Sequence, residues 1–193
     1  MSTTLDSLVR QHQGHEIPEP GTYGIDASHS AAEFVARHLG LSKVRGRFNQ
    51  FDGKIVIADV PEESSVDVTI DVASIDSKDA KRDDHLRSPD FFHVDEHPTI
   101  RFRSTKVEAA GDGEWDVTGD LTIRDVTKAV VLHVEFEGAE NSPFGDQRIG
   151  FSASTEVNRE EWGLGWNVVL ESGGLLVGKK IKIELGVEAV REA

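Results

Sequence analysis

Between Ser65 and Val72 the chain alternates without a break, with Val66, Val68, Ile70 and Val72 on one side and Ser65, Asp67, Thr69 and Asp71 on the other. A strand turns successive side chains to opposite faces, so the pattern describes a strand with one buried and one solvated face. The same period returns at Ile100/Phe102, Trp115/Val117/Leu121/Ile123, Val130/Leu132/Val134/Phe136, Phe151/Ala153/Thr155/Val157 and Ile181/Ile183/Leu185/Val187. Tyr23 to Ile25, Glu33 to His38 and Phe48 to Ile57 add shorter candidates, which makes about eight or nine strands. Asp52-Gly53, Gly111-Asp112-Gly113, Arg124-Asp125, Asn141-Ser142-Pro143 and Ser172-Gly173-Gly174 separate them at spacings suited to hairpins. The expected fold is all-β, an antiparallel up-and-down meander whose two edges are removed by closure into a barrel. Ser77 to Ser88 is polar, lacks the alternation and stops at Pro89, which predicts one short surface helix between strands.

A barrel of about eight strands is either filled by its side chains or lined around one small ligand. The chain has 3 Trp, 1 Tyr and 9 Phe, and much of the alternating face is Val, Ile and Ala. Medium-sized aliphatics pack solid cores well, so at this point a filled core and an apolar cavity both stand.

With 193 residues the chain suits one domain. Residues 1–20 read as an arm. Thr3 or Thr4 caps a short helix with Leu5, Leu8 and Val9 on one side, and Gly14, Pro18 and Pro20 stop it. The barrel domain takes residues 21–190. Met1 to Glu16 holds no basic segment followed by an apolar run, and no stretch nears the roughly 18 apolar residues of a membrane-spanning helix, so a cytoplasmic protein is expected. Lys and Arg number 21 against 35 Asp and Glu, a net charge of −14 that repels nucleic-acid phosphates. Cysteine is absent, which removes disulfides, thiol nucleophiles and thiolate metal sites.

Among the 8 histidines, His29, His38, His85, His93 and His97 fall in the first half and His12 and His15 in the arm. Only His93/His97 have the i, i+4 spacing of a helical zinc pair, and Pro98 directly after them argues against a helix. The pairs Asp83/Asp84, Glu62/Glu63 and Glu160/Glu161 read as solvated surface, since neighbours in a strand point apart. No G-x-S-x-G, P-loop or H-E-x-x-H is present, and Gly163-Leu164-Gly165 lacks a third glycine. Arg37 to Arg47 concentrates four Lys/Arg in an otherwise acidic chain. It suits either an anionic headgroup and transient membrane contact or neutralisation of acidic side chains on neighbouring strands.

Tyr23-Gly-Ile-Asp26-x-x-His29-Ser30, Phe34-x-x-x-His38, Val44-Arg-Gly46-Arg-Phe48 and Phe51-Asp-Gly53 open a series of ordered blocks. Arg82-Asp-Asp-His85-Leu86-Arg87-Ser88-x-Asp90-Phe91-Phe92, Pro98-x-Ile100-x-Phe102-x-Ser104, Gly119-Asp-Leu121-Thr122 and Arg159-Glu-Glu-Trp162-Gly163 continue it. Over about residues 21–190 the chain resembles the YceI-like family. The resemblance implies a lipocalin-like barrel holding a long apolar chain, such as a polyisoprenoid or fatty-acid derivative. It departs at Trp162, where Phe is expected, and in lacking the signal peptide of exported members.

The resemblance places His29 and His38 at the cavity mouth as headgroup donors, with Arg159 as an anion partner; each alternatively ties strand ends together. His85 sits on the inferred helix, as lid or as packing. Phe34, Phe48, Phe91, Phe92, Phe102, Phe136, Phe151 and Trp162 are core side chains, some of which line any cavity. The expected function is carriage or storage of an isoprenoid or other long-chain lipid, without catalysis or cofactor, in a protein that forms homodimers. The alternatives are a histidine-based metal or haem protein and, third, an isoprenoid-modifying enzyme.

Overall fold

In the computed structural model, which describes residues 7–193, the alternating segments all become strands. They are β1 (Val9–His12), β2 (His15–Pro18), β3 (Gly21–Ile25), β4 (Ala31–His38), β5 (Ser42–Phe48), β6 (Phe51–Ile57), β7 (Ser65–Asp71), β8 (Ile75–Asp76), β9 (Thr99–Gly111), β10 (Glu114–Ile123), β11 (Val126–Asn141), β12 (Gln147–Asn158) and β13 (Val177–Arg191). One helix, α1 (Ala80–Arg87), lies between β8 and β9. Three strand pairs are single barrel strands broken by a kink. Both β3 and β4 pair with β13, β6 and β5 pair with β3 and β4 respectively, and β7 and β8 pair with β6 and β5. Counted this way the sheet is a closed antiparallel meander of eight strands, and β12 pairing with β13 completes the ring. Closure leaves no long open edge.

Local chemistry sets the connections. Arg124 and Asp125 join β10 to β11 with φ of 50° and 60°, the doubly left-handed turn whose twist matches the flanking strands. The Asp79 side chain accepts the Arg82 N–H at 3.0 Å and caps α1 as the polar Ser77–Ser88 segment predicts. Buried Asp83 on that helix accepts from the Ser77 N–H at 2.8 Å and the Ser77 hydroxyl at 2.5 Å, tying α1 to the end of β8.

The amino-terminal segment departs from expectation. Val9–His12 and His15–Pro18 form an antiparallel hairpin in place of a helix and arm, with Gln13 and Gly14 at positive φ in its turn. The Leu5 part of the expected helix lies outside the described residues. Ile17 is buried, the His12 ring lies 5.7 Å from that of Trp115, and Arg10 donates to the Asp59 carbonyl at 2.6 Å. Burial of Ile17 and Pro18 holds the hairpin across the barrel end formed by residues 58–64 and 111–114. The other end is covered by α1, the turns that follow it and residues 159–176. A dense apolar cluster, with Phe48, Val72, Ile75, Phe102, Leu121 and Trp162, lies against that cap.

At the β3–β4 kink, Arg148 from β12 bridges Asp26 at 2.9 Å, Asp146 at 2.7 Å and Glu188 at 2.5 Å. Hydrogen bonds from Ser28, His29 and Arg148 hold the Asp26 carboxyl well below the usual carboxylate range. Its unfolded value is about 3.9, so its contribution to stability is whole above that pH and is lost as pH falls toward the folded value. Asp26→Asn is therefore expected to lower the urea midpoint at pH 7 and to flatten its decline below about pH 4. An unchanged acid limb would remove Asp26 from this role.

Candidate functional site

The inward face of the barrel is apolar on nearly every strand. Val66, Val68 and Ile70 on β7, Val130, Leu132, Val134 and Phe136 on β11, and Phe151, Ala153, Thr155 and Val157 on β12 all point to the interior. The inward set of β13, Ile181, Ile183, Leu185 and Val187, completes the wall. Much of β11, β12 and β13 is only half-buried on this face, because these side chains border open space instead of one another. That space is a cavity of about 350 Å³, in the range of small-molecule sites. It runs from Ile17 and Pro18 of the hairpin to Leu86, Phe91, Phe92 and Leu164 of the cap.

Two glycines shape its wall. A Cβ at Gly46 would stand 2.2 Å from Phe34 Cζ, and one at Gly119 would stand 2.4 Å from Phe102 Cζ. Each ring thus lies flat over bare backbone on the adjoining strand and leaves the centre open.

At the capped end the wall includes one deeply buried cation. Arg159 is 4% exposed, and its guanidinium donates to the carbonyls of Gly178 at 3.0 Å, Val177 at 3.4 Å and Leu164. Its nearest acidic neighbour, Glu160, instead pairs with Lys179 at 3.0 Å, and among the described residues no carboxylate pairs with Arg159. Burial pushes its pKa down, opposed by Glu160. A guanidinium carries five N–H donors, so these three bonds leave two available. The charge also lies 5.8 Å from the centre of the Phe91 ring, a cation–π contact. Trp162, 1% exposed, donates its indole N–H to the Leu121 carbonyl at 3.0 Å and closes the top of the barrel.

The structure divides the residues singled out from sequence into two groups. Phe34, Phe48, Phe91, Phe92, Phe102, Phe136, Phe151, Arg159 and Trp162 border the cavity. His29, His38 and His85 do not. His29 binds Asp26 at 2.8 Å on the outside of the kink, and His38 is exposed at the end of β4. His85 binds Asp90 at 2.9 Å and packs edge-on against Phe91 and Trp166. None of the 8 histidines borders the cavity, so a haem held there would find no histidine ligand. Ile17, Pro18 and Leu164 were not legible as site residues. The first two sit in a hairpin too short to show a period, and the third lies in an irregular segment.

A family model described as the YceI-like domain matches residues 23–189. A UPF0312 protein of Ectopseudomonas mendocina is 38% identical over 173 residues, covering 88% of this chain and 87% of the relative. The crystal structure of a Campylobacter jejuni YCEI protein superposes with a TM-score of 0.70 at 29% identity, over 81% of this chain and 90% of that one. A polyisoprenoid binding domain from Saccharophagus degradans shares the fold, with a TM-score of 0.66 at 15% identity over 90% and 100% of the two chains. The ordered motifs, the closed eight-stranded barrel and a match that spans nearly all of it have one reading: this chain is a member of the YceI-like family.

Proposed function

We propose that the barrel binds a long-chain hydrophobic molecule, isoprenoid or fatty-acyl in class, and carries or stores it without chemical change. The observation that carries this reading is the continuous apolar cavity, with Arg159 as its one deeply buried charge. Each methylene moved from water into such a space gains roughly 0.8 kcal/mol, so ten of them gain about 8 kcal/mol before ordering costs. The two spare N–H groups of Arg159 favour a ligand whose polar head carries an oxygen acceptor and rests at the capped end. The polyisoprenoid-binding neighbour supports the chain class through the shared fold.

Loading from a membrane surface belongs to the same proposal. Leu39, Leu41, Val168 and Val169 are exposed at the capped end, and the Leu39 N–H donates to the Leu176 carbonyl at 2.9 Å, which joins the two loops. Arg45 of the basic stretch is neutralised by Glu184 at 2.7 Å, whereas Arg37 and Lys43 have no carboxylate partner among the described residues. They would face anionic headgroups beside the apolar tips.

Organic extraction of the purified protein followed by mass spectrometry tests the reading. The expected result is one long-chain molecule per barrel, returned unaltered after incubation, with transfer from anionic vesicles slowed by Leu41→Asp. An empty protein that takes up no long-chain probe, or a ligand that is converted on incubation, would overturn it.

A further inference from the structure

Outside the cavity, the segment after Phe92 gathers two imidazoles and a carboxylate at one point of the rim. The His93 carbonyl accepts the Glu96 N–H at 3.1 Å and the His97 N–H at 2.9 Å, so residues 93–97 make a single helical turn. Pro98 ends that turn without preventing it, and its carbonyl accepts the Val72 N–H at 3.0 Å. His93 enters the turn at φ of 52°, and the turn sets the two rings 5.8 Å apart. Glu96 Oε2 lies 3.6 Å from His93 Nδ1, and donor atoms of His93, Glu96 and His97 all fall within 4.8 Å of one another. The β10–β11 turn adds an outer neighbour, because Asp125 Oδ2 is 3.2 Å from His97 Nδ1.

These separations suit a metal ion. Nitrogen and oxygen donors about 2.0–2.1 Å from a tetrahedral centre stand about 3.3 Å apart, so the 3.6 Å between His93 and Glu96 is close to that value and the three donors, all within 4.8 Å, need to draw in slightly around an ion. His97 Nδ1 is shut off from water and makes no aligned hydrogen bond, despite its ion-pair distance from Asp125. A buried ring nitrogen without a partner is costly, and a coordinated ion would satisfy it. Glu96 and Asp125 are largely exposed, so an ion can enter from solvent. The mixed nitrogen and oxygen set suits zinc and its transition-metal neighbours, whereas magnesium and calcium prefer oxygen alone.

We propose that His93, Glu96 and His97 bind a divalent transition-metal ion, zinc by geometry, and that Asp125 of the β10–β11 turn supports the site through its contact with His97. The site is independent of what the cavity holds. It lies close to the cavity's capped end, because the Val94 and Phe92 N–H groups bind the Arg87 and Leu86 carbonyls and Phe92 borders the cavity.

Calorimetric titration of the chelator-treated full chain with zinc alone tests the proposal, with cobalt absorption as a second readout. One ion per chain is expected, together with a raised melting temperature. His93→Ala/His97→Ala should weaken binding by about a hundredfold and Asp125→Asn by about tenfold, with far-ultraviolet circular dichroism unchanged. His93→Gln/His97→Gln provides a folded substitute should the alanine pair disturb the turn. Absence of stoichiometric binding, or equal affinity in the histidine variants, would overturn the proposal, the latter placing the ion on other side chains such as His12 and His15.

Discussion

Ala153→Trp is expected to remove ligand binding while leaving the barrel folded. Ala153 points inward from β12, between Val134 of β11 and Leu185 of β13, at a part of the wall where side chains border open space. An indole placed there occupies room now available to a guest. If it displaces five methylenes, the loss is about 4 kcal/mol, which corresponds to several hundredfold in affinity. In a solid core the same change would be overpacking and would destabilise the protein by about 1–3 kcal/mol. Titration with the extracted ligand, or with a fluorescent long-chain probe, is to be read beside urea unfolding. Weak binding with an unchanged midpoint supports the cavity. A sharply lowered midpoint would show that the interior is filled, and undiminished binding would place the guest elsewhere.

The strands that carry the cavity were legible because a two-residue period has one physical cause, and the apolar member of each alternating pair is the inward one on β7 and on β9 through β13. β5 was obscured in an instructive way. Its residues Lys43, Arg45 and Arg47 read as a basic stretch, yet they are the outer half of an alternation whose inner half is Val44, Gly46 and Phe48. Gly46 hides the period because its inward space is taken by the ring of Phe34 from the neighbouring strand. Only the pairing of β4 with β5 shows that the glycine marks an aromatic site and not a gap.

The histidines misled for a related reason. A titratable side chain draws a functional reading wherever it falls, but the apolar wall has no place for one, and His29 and His85 are held by acidic neighbours outside it. Proline after His97 argued against a helix, and none forms there: residues 93–97 make one isolated turn that starts from His93 at φ of 52°. Gly14, read as the stop of a helix, is the turn of a hairpin that covers one barrel end.

Trp162→Ala is expected to cost about 3–5 kcal/mol of stability, the range for emptying a large aromatic site in a core. The indole is packed in the dense cluster with Phe48, Val72, Ile75 and Leu121, and its N–H is the partner of the Leu121 carbonyl at 3.0 Å. It is positioned by a short 3₁₀ turn, Arg159–Trp162, that ends at Gly163 with φ of 79°, where the Gly163 N–H closes on the Glu160 carbonyl at 3.0 Å. Trp162→Phe, the residue expected at this position in the family, separates the two contributions. It keeps most of the apolar contact but leaves the Leu121 carbonyl without its donor, for an expected loss of about 1–2 kcal/mol. Both values follow from urea midpoints at unchanged slope. Because Trp162 and Arg159 share one turn and both border the cavity, the alanine variant should also release ligand faster, having opened the capped end beside the only deeply buried cation of its wall. An alanine variant within about 1 kcal/mol of the parent and with unaltered release would show that the capped end is held by α1 and Phe92 alone.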